Sequence, residues 1–159
     1  MCDYSLMAIP NRLAVCGEEL VVHRFEAGAV GLASALDLRR RQETRKPPRR
    51  GFWSRLKEFL DPADTPSVPA VCIPPGARLL VQDIPANLQR ECGIQKDLGE
   101  AVFTQITAAT NAFRDAVRFP NGFEVLLQRF AEGQRVRILD VSSAEEQEAA
   151  SHEEQRVTI

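Results

Sequence analysis

The sequence predicts an α+β domain, mostly antiparallel strands forming a small barrel or rolled sheet, with one or two short helices and a long basic insert. Three observations lead there. Apolar residues recur at alternate positions in several short runs, glycine-containing turns separate those runs, and a stretch dense in arginine and proline divides them into two blocks. Short strands joined by tight turns find their partners nearby in sequence, and small barrels and rolled sheets are built that way.

The first block spans residues 1–36. Within Glu18–Ser34, two β-rich runs are joined by Glu26-Ala27-Gly28, which predicts a hairpin with Gly28 in the left-handed region. In that register Leu20, Val22, Val30 and Leu32 share one face, and Val21, His23, Phe25 and Ala29 share the other. Both faces are largely apolar, so this hairpin should be buried on both sides.

Residues 37–70 form the insert. Positions 39–57 hold nine Lys/Arg and one acid, Glu43, and prolines stand at 47, 48, 62, 66 and 69. Such a composition has little to bury and predicts an extended segment, with Arg39–Arg50 the first site of proteolysis. Gly51–Leu60 is the exception. Phe52, Trp53, Leu56, Phe59 and Leu60 recur at helical spacing and gather on one face of a short amphipathic helix. A helix this short needs a cover for that face. It has three candidate covers: the chain's own sheet, a groove on a partner protein, or an anionic membrane surface. Arg49, Arg50, Phe52, Trp53, Leu56 and Phe59 are the candidate contact residues, the two arginines supplying attraction for anionic lipid.

The second block spans residues 71–141. Cys72-Ile73-Pro74-Pro75-Gly76 is a turn that launches a strand over Arg78–Ile84. Pro85–Cys92 reads as a two-turn helix, with Pro85 at its first position and Gly93 as its stop. Ala101–Thr107 is a further strand, and Ala108–Arg114 suits either helix or strand. Over Asp115–Leu127 a three-residue loop, Pro120-Asn121-Gly122, pairs Phe119 with Phe123 and Val117 with Val125 and leaves Arg118 and Glu124 together on the opposite face. After Ala131-Glu132-Gly133, the run Arg135–Val141 points Val136 and Ile138 one way and Arg135 and Arg137 the other. Residues 142–159 read as an acidic, flexible tail.

Composition limits function only loosely. The chain has 159 residues, 44% of them apolar, and a formal net charge of −2. Its total charge gives nucleic acid no global attraction, although the basic run 39–50 offers phosphate contacts. Positions 144–154 hold five Glu and no base, so a basic middle faces an acidic end. No run approaches the ~18 apolar residues of a membrane span, and the first ten residues lack the pattern of a secretory signal. A cytoplasmic chain, membrane-peripheral at most through 49–60, is the expectation, with Cys2, Cys16, Cys72 and Cys92 as thiols.

The opening Met1-Cys2-Asp3-Tyr4-Ser5-Leu6 resembles the start of a group of uncharacterised bacterial proteins of about this size. The resemblance is best at the N-terminus and extends to the Cys72–Gly76 turn and the region from Gly122 to Gly133. It implies a bacterial origin and no activity.

Removal of Met1 before a small residue would leave Cys2 with a free thiol and amine, a nucleophile and base on one residue, with His23 as an assisting base. No oxyanion hole accompanies it in the sequence. Cys2, Cys16, Cys72, Cys92, His23 and His152 lack the close pairs typical of zinc sites, so neither a metal nor a cofactor is expected. The glycines sit in hairpins, not between a strand and a helix, which removes the dinucleotide and P-loop readings. The reading that follows is a small non-catalytic binding or adaptor module acting through its basic, amphipathic insert. The alternatives are an N-terminal-cysteine thiol enzyme and a nucleic-acid-binding protein.

Overall fold

Alternating burial along the strands organises the molecule around one apolar face. A computed structural model describes Leu6 and residues 8–26, 28–44, 67–107 and 113–142. The elements among them are β1 (Asn11–Leu13), β2 (Glu19–Arg24), β3 (Val30–Ser34), α1 (Ala35–Thr44), β4 (Ala70–Cys72), β5 (Arg78–Val81), α2 (Ala86–Cys92), β6 (Gly99–Gln105), β7 (Asp115–Arg118), β8 (Glu124–Leu126), a 3₁₀ turn (Leu127–Arg129) and β9 (Arg135–Asp140). The strands make one mixed sheet in the order β1-β4-β3-β2-β9-β5-β6-β7-β8. The β1–β4 pair is parallel and the other pairs are antiparallel.

The sheet is rolled but does not close into a barrel, because β1 and β8 remain its two edges. Curvature brings the 3₁₀ turn after β8 against β3, although five strands lie between β3 and β8 in the order. One face of the roll encloses the main core. Leu20 and Val22 of β2, Leu79 and Val81 of β5, and Val136 and Ile138 of β9 meet there, with Phe103 and Val117. Each large side chain so buried contributes about 1.5–3 kcal/mol relative to exposure. Leu88 and Cys92 of α2 join this core. Pro85 is the N-cap of α2, one position earlier than its expected place inside the helix, and Gly93 ends it at φ 66°.

Both predicted hairpin registers are present. Val22 opposes Leu32 and Arg24 opposes Val30, with Gly28 at φ 80°. Val117 opposes Val125 and Arg118 opposes Glu124, with Gly122 at φ 84°. The Phe119 N–H donates to the Phe123 carbonyl at 2.9 Å, closing the second hairpin. Phe119 is buried, whereas Phe123 remains exposed at the tip.

The boundaries of the basic insert require correction. Its first eight positions, 37–44, belong to α1, and Ala70 belongs to β4. Arginine density suggested an extended chain, but α1 follows β3 without a turn and lies on the outer face of the β2–β3 hairpin. There Leu38 packs with Leu6, Phe25, Ala33, Val68 and Ala70 in a second apolar cluster. Arg41 donates to Glu26 at 2.6 Å and keeps only 22% of its side-chain surface exposed. Long arginine stems cover apolar surface while their heads stay wet, so charge counting alone misplaces such a helix. Within α1 the stretch is helical where an extended chain was expected, and Arg41 reaches Glu26, while its other residues, 39, 40 and 42–44, are exposed; residues 45–50 lie outside the described ones.

Candidate functional site

Of the residues singled out in the sequence, Cys2, Arg49, Arg50, Phe52, Trp53, Leu56 and Phe59 lie outside the described residues, as do the amphipathic stretch 51–60 and the tail beyond Ser142. His23 is described. It sits on β2, facing outward, edge-on to Phe25 with ring centroids 4.9 Å apart. Burial lowers its pKa, Glu132 at 3.6 Å from Nδ1 opposes that shift, and the positive charge of Arg41 reinforces it. A neutral imidazole is thereby favoured.

The cysteines separate into three environments. Cys72 of β4 is disulfide-bonded, which corrects the expectation of four thiols. Cys92 is a buried free thiol whose pKa is pushed up by burial and then by Glu91. Cys16 is exposed and donates to the Leu139 carbonyl at 3.1 Å. Among the described residues no group of three His, Cys, Asp or Glu is placed to hold a metal.

Helix α1 organises the basic surface. With Leu38 turned toward the sheet, Arg40 projects away with 70% of its side chain exposed. Arg39 and Gln42 lean over β2 toward β9. There they border a groove of about 230 Å³, whose opposite wall is Gln82, Arg135 and Arg137. The ladder between β2 and β9 sets this wall, since Glu19 lies opposite Arg137 and Val21 opposite Arg135. All four alternate with Leu20 and Val136, which point into the core.

The back of this wall is fixed by hydrogen bonds. Arg135 Nε donates to Asp83 Oδ2 at 2.7 Å, and this bond holds the Asp83 carboxyl below its ordinary range. Asp83 has φ 55°, the one positive-φ residue other than glycine among the described residues. Backbone strain of this kind costs roughly 1–3 kcal/mol and collects at functional positions. Beside it, the buried Gln134 donates from Nε2 to the Gln82 carbonyl at 2.5 Å, and the Gln82 N–H donates to the Arg135 carbonyl at 2.9 Å.

A second hollow, about 360 Å³, lies over β5, β6 and the β7–β8 turn. Its charges already have partners. Arg78 meets Glu100 at 3.1 Å and Arg118 meets Glu124 at 2.7 Å. It therefore asks for no external ion.

Sequence reasoning placed Arg135 and Arg137 on the outward face of β9 but missed the groove. The signal was available in part: alternation located two guanidiniums, while the assignment of Arg39 and Gln42 to an extended insert removed the opposing wall. No family model matches the chain, and neither the curated proteins nor the solved structures yield a match. No helix among the described residues is long and apolar enough to cross a membrane.

Proposed function

We propose that this chain is a non-catalytic binding or adaptor module that engages an anionic protein surface through α1 and the basic, amphipathic stretch continuing from it to residue 60. One observation supports this reading above the others. Helix α1 presents outward Arg39, without an ion pair among the described residues, and Arg40, 70% exposed and 3.9 Å from Asp37, in a fold whose strand arginines are largely matched by carboxylates. The sequence then adds Arg45, Lys46, Arg49 and Arg50 before the apolar set Phe52, Trp53, Leu56 and Phe59. Basic residues bring an acidic surface close, and the apolar set supplies the buried anchors that hold it.

The test uses heparin as a polyanion probe and vesicles of mixed zwitterionic and anionic lipid as the competing surface. Replacing Arg45, Lys46, Arg49 and Arg50 together with Ser should abolish the salt-dependent retention on heparin without altering the melting temperature. Trp53→Glu should leave vesicle sedimentation absent, as in the wild type. Sedimentation of the wild type that is lost in Trp53→Glu would assign the surface to a membrane instead. Retention unchanged by the four substitutions would remove the insert from the function.

A further inference from the structure

We infer that the groove between α1 and β9 is a binding site for a small organic monocarboxylate, clamped by Arg39 and Arg137. This goes beyond the partner-binding reading and does not rest on it, because one arm of the clamp, Arg137, and its neighbour Arg135 come from β9.

The first support is the state of the arginines. Elsewhere several guanidiniums are paired with carboxylates, Arg12 with Glu18, Arg78 with Glu100, Arg118 with Glu124 and Arg129 with Glu91, while Arg24 and Arg90 donate to backbone carbonyls. Arg39 and Arg137 face each other across the groove and neither has an ion pair among the described residues. Glu19 stands directly opposite Arg137 in the strand register, yet it forms no ion pair with it. Two guanidiniums at one hollow, neither engaged in an ion pair among the described residues although Glu19 also lines it, form a site that a planar anion can bridge, since each fork presents parallel donors to a carboxylate.

The second support is the charge sum. Arg39, Arg135 and Arg137 line the groove; Glu19 lines it too, and Asp83 stands behind Arg135. Three positive groups against two negative ones leave a single positive charge. That matches a monoanion, while a doubly charged phosphate would meet Glu19 uncompensated.

The third support is shape and rigidity. The floor is apolar, formed by Val21, Ala35 and Leu38, and suits a hydrocarbon or aromatic body. The volume of about 230 Å³ lies below the range of drug-sized ligand pockets, so the ligand is small. Gln42 and Gln82 add amide groups at the rim, and Gln82 is held through its backbone by Gln134 and Arg135. Behind this wall Arg135 donates to Asp83 at 2.7 Å.

The test is a titration of the full-length protein with sodium benzoate at constant ionic strength, followed by amide chemical shifts. Benzoate should perturb Val21, Gln82, Arg137 and Arg39, and saturate. Arg137→Gln and Arg39→Gln should each weaken the Kd tenfold or more. Arg137→Lys, which keeps the charge and loses the fork, should also weaken it. Arg118→Gln, in the paired hollow, should change nothing. Spectra of each variant without ligand report whether it folds, and Arg137→Lys serves if Arg137→Gln does not. Inorganic phosphate should bind more weakly than benzoate. The inference is overturned if sodium chloride reproduces the perturbations, if Arg137→Gln and Arg137→Lys both bind like wild type, or if phosphate binds more tightly. Perturbation confined to residues 45–60 would also overturn it, while leaving the partner-binding reading intact.

Discussion

The β2–β3 and β7–β8 hairpins use the same turn chemistry and end in different surroundings. Each closes on a glycine in the left-handed region, Gly28 and Gly122, and each pairs without slippage. The β7–β8 hairpin buries Val117 and Val125 on one face; on the other Ala116 is buried, while Arg118 and Glu124, already paired, are exposed toward the tip. The β2–β3 hairpin buries both faces: Leu20, Val22 and Leu32 enter the main core, while Phe25 and Ala33 enter the second cluster. A cover over the second face has to come from somewhere, and α1 with its arginines supplies it. The difference teaches that an apolar outer face recruits a second layer, and here that layer brings the basic groove with it.

Gly31 tests the two-sided hairpin most severely. A Cβ at this position would lie 2.7 Å from Leu6 Cδ1 and 3.2 Å from Phe25 Cε2. Gly31→Val should therefore destabilise the fold by about 1–3 kcal/mol through overpacking of the second cluster. Chemical denaturation measures it. A loss well under that range would mean the second layer is loosely held and the contrast between the hairpins is weak.

Gly122 tests the one-sided hairpin, through the backbone alone. A Cβ there meets nothing within 4 Å, so sterics with neighbours are absent and only φ 84° matters. Gly122→Val should cost ~1 kcal/mol or more, because a β-branched residue is a poor occupant of the left-handed region. Gly122→Asn should recover part of that loss, and equal stability of the two variants would sink the backbone explanation.

These cases also show what was legible in the sequence and why. Alternation and turn residues act over a few positions, so Val117, Phe119, Gly122 and Val125 announce their register directly. The burial of both faces of the β2–β3 hairpin was equally plain from Val21, Phe25 and Ala29. The identity of its cover was not, because Leu38 is one apolar residue among arginines and its value depends on Leu6, Val68 and Ala70, which lie about thirty residues away on either side in the chain. The groove was less legible still. It requires Arg39 and Arg137 to meet across nearly a hundred residues, and no local pattern encodes that meeting. Asn121 makes the same point. Its turn role was evident, but its Nδ2 also donates to the Cys92 carbonyl at 2.5 Å, tying the hairpin tip to the end of α2.

The smallest expected effect distinguishes the two-sided hairpin by its response to acid. His23 lies on the covered face of β2, and burial, followed by the nearby Arg41 charge, lowers its pKa despite Glu132. A group whose folded pKa is depressed takes up protons more readily in the unfolded chain. Its contribution to stability is present above the unfolded value of about 6.5 and is lost as pH falls through that value to the folded one. Thermal melts of wild type and His23→Gln between about pH 7.5 and about pH 5.5 isolate this contribution, since carboxylates common to both proteins cancel in the difference. The wild type should lose more stability over that interval than the variant. His23 retains 21% of its side-chain surface, so the difference should be modest. Equal losses would show that α1 leaves the imidazole as wet as in the unfolded chain. A larger loss in the variant would mean that Glu132 prevails and favours the protonated ring, and the covered face would then resemble the open one.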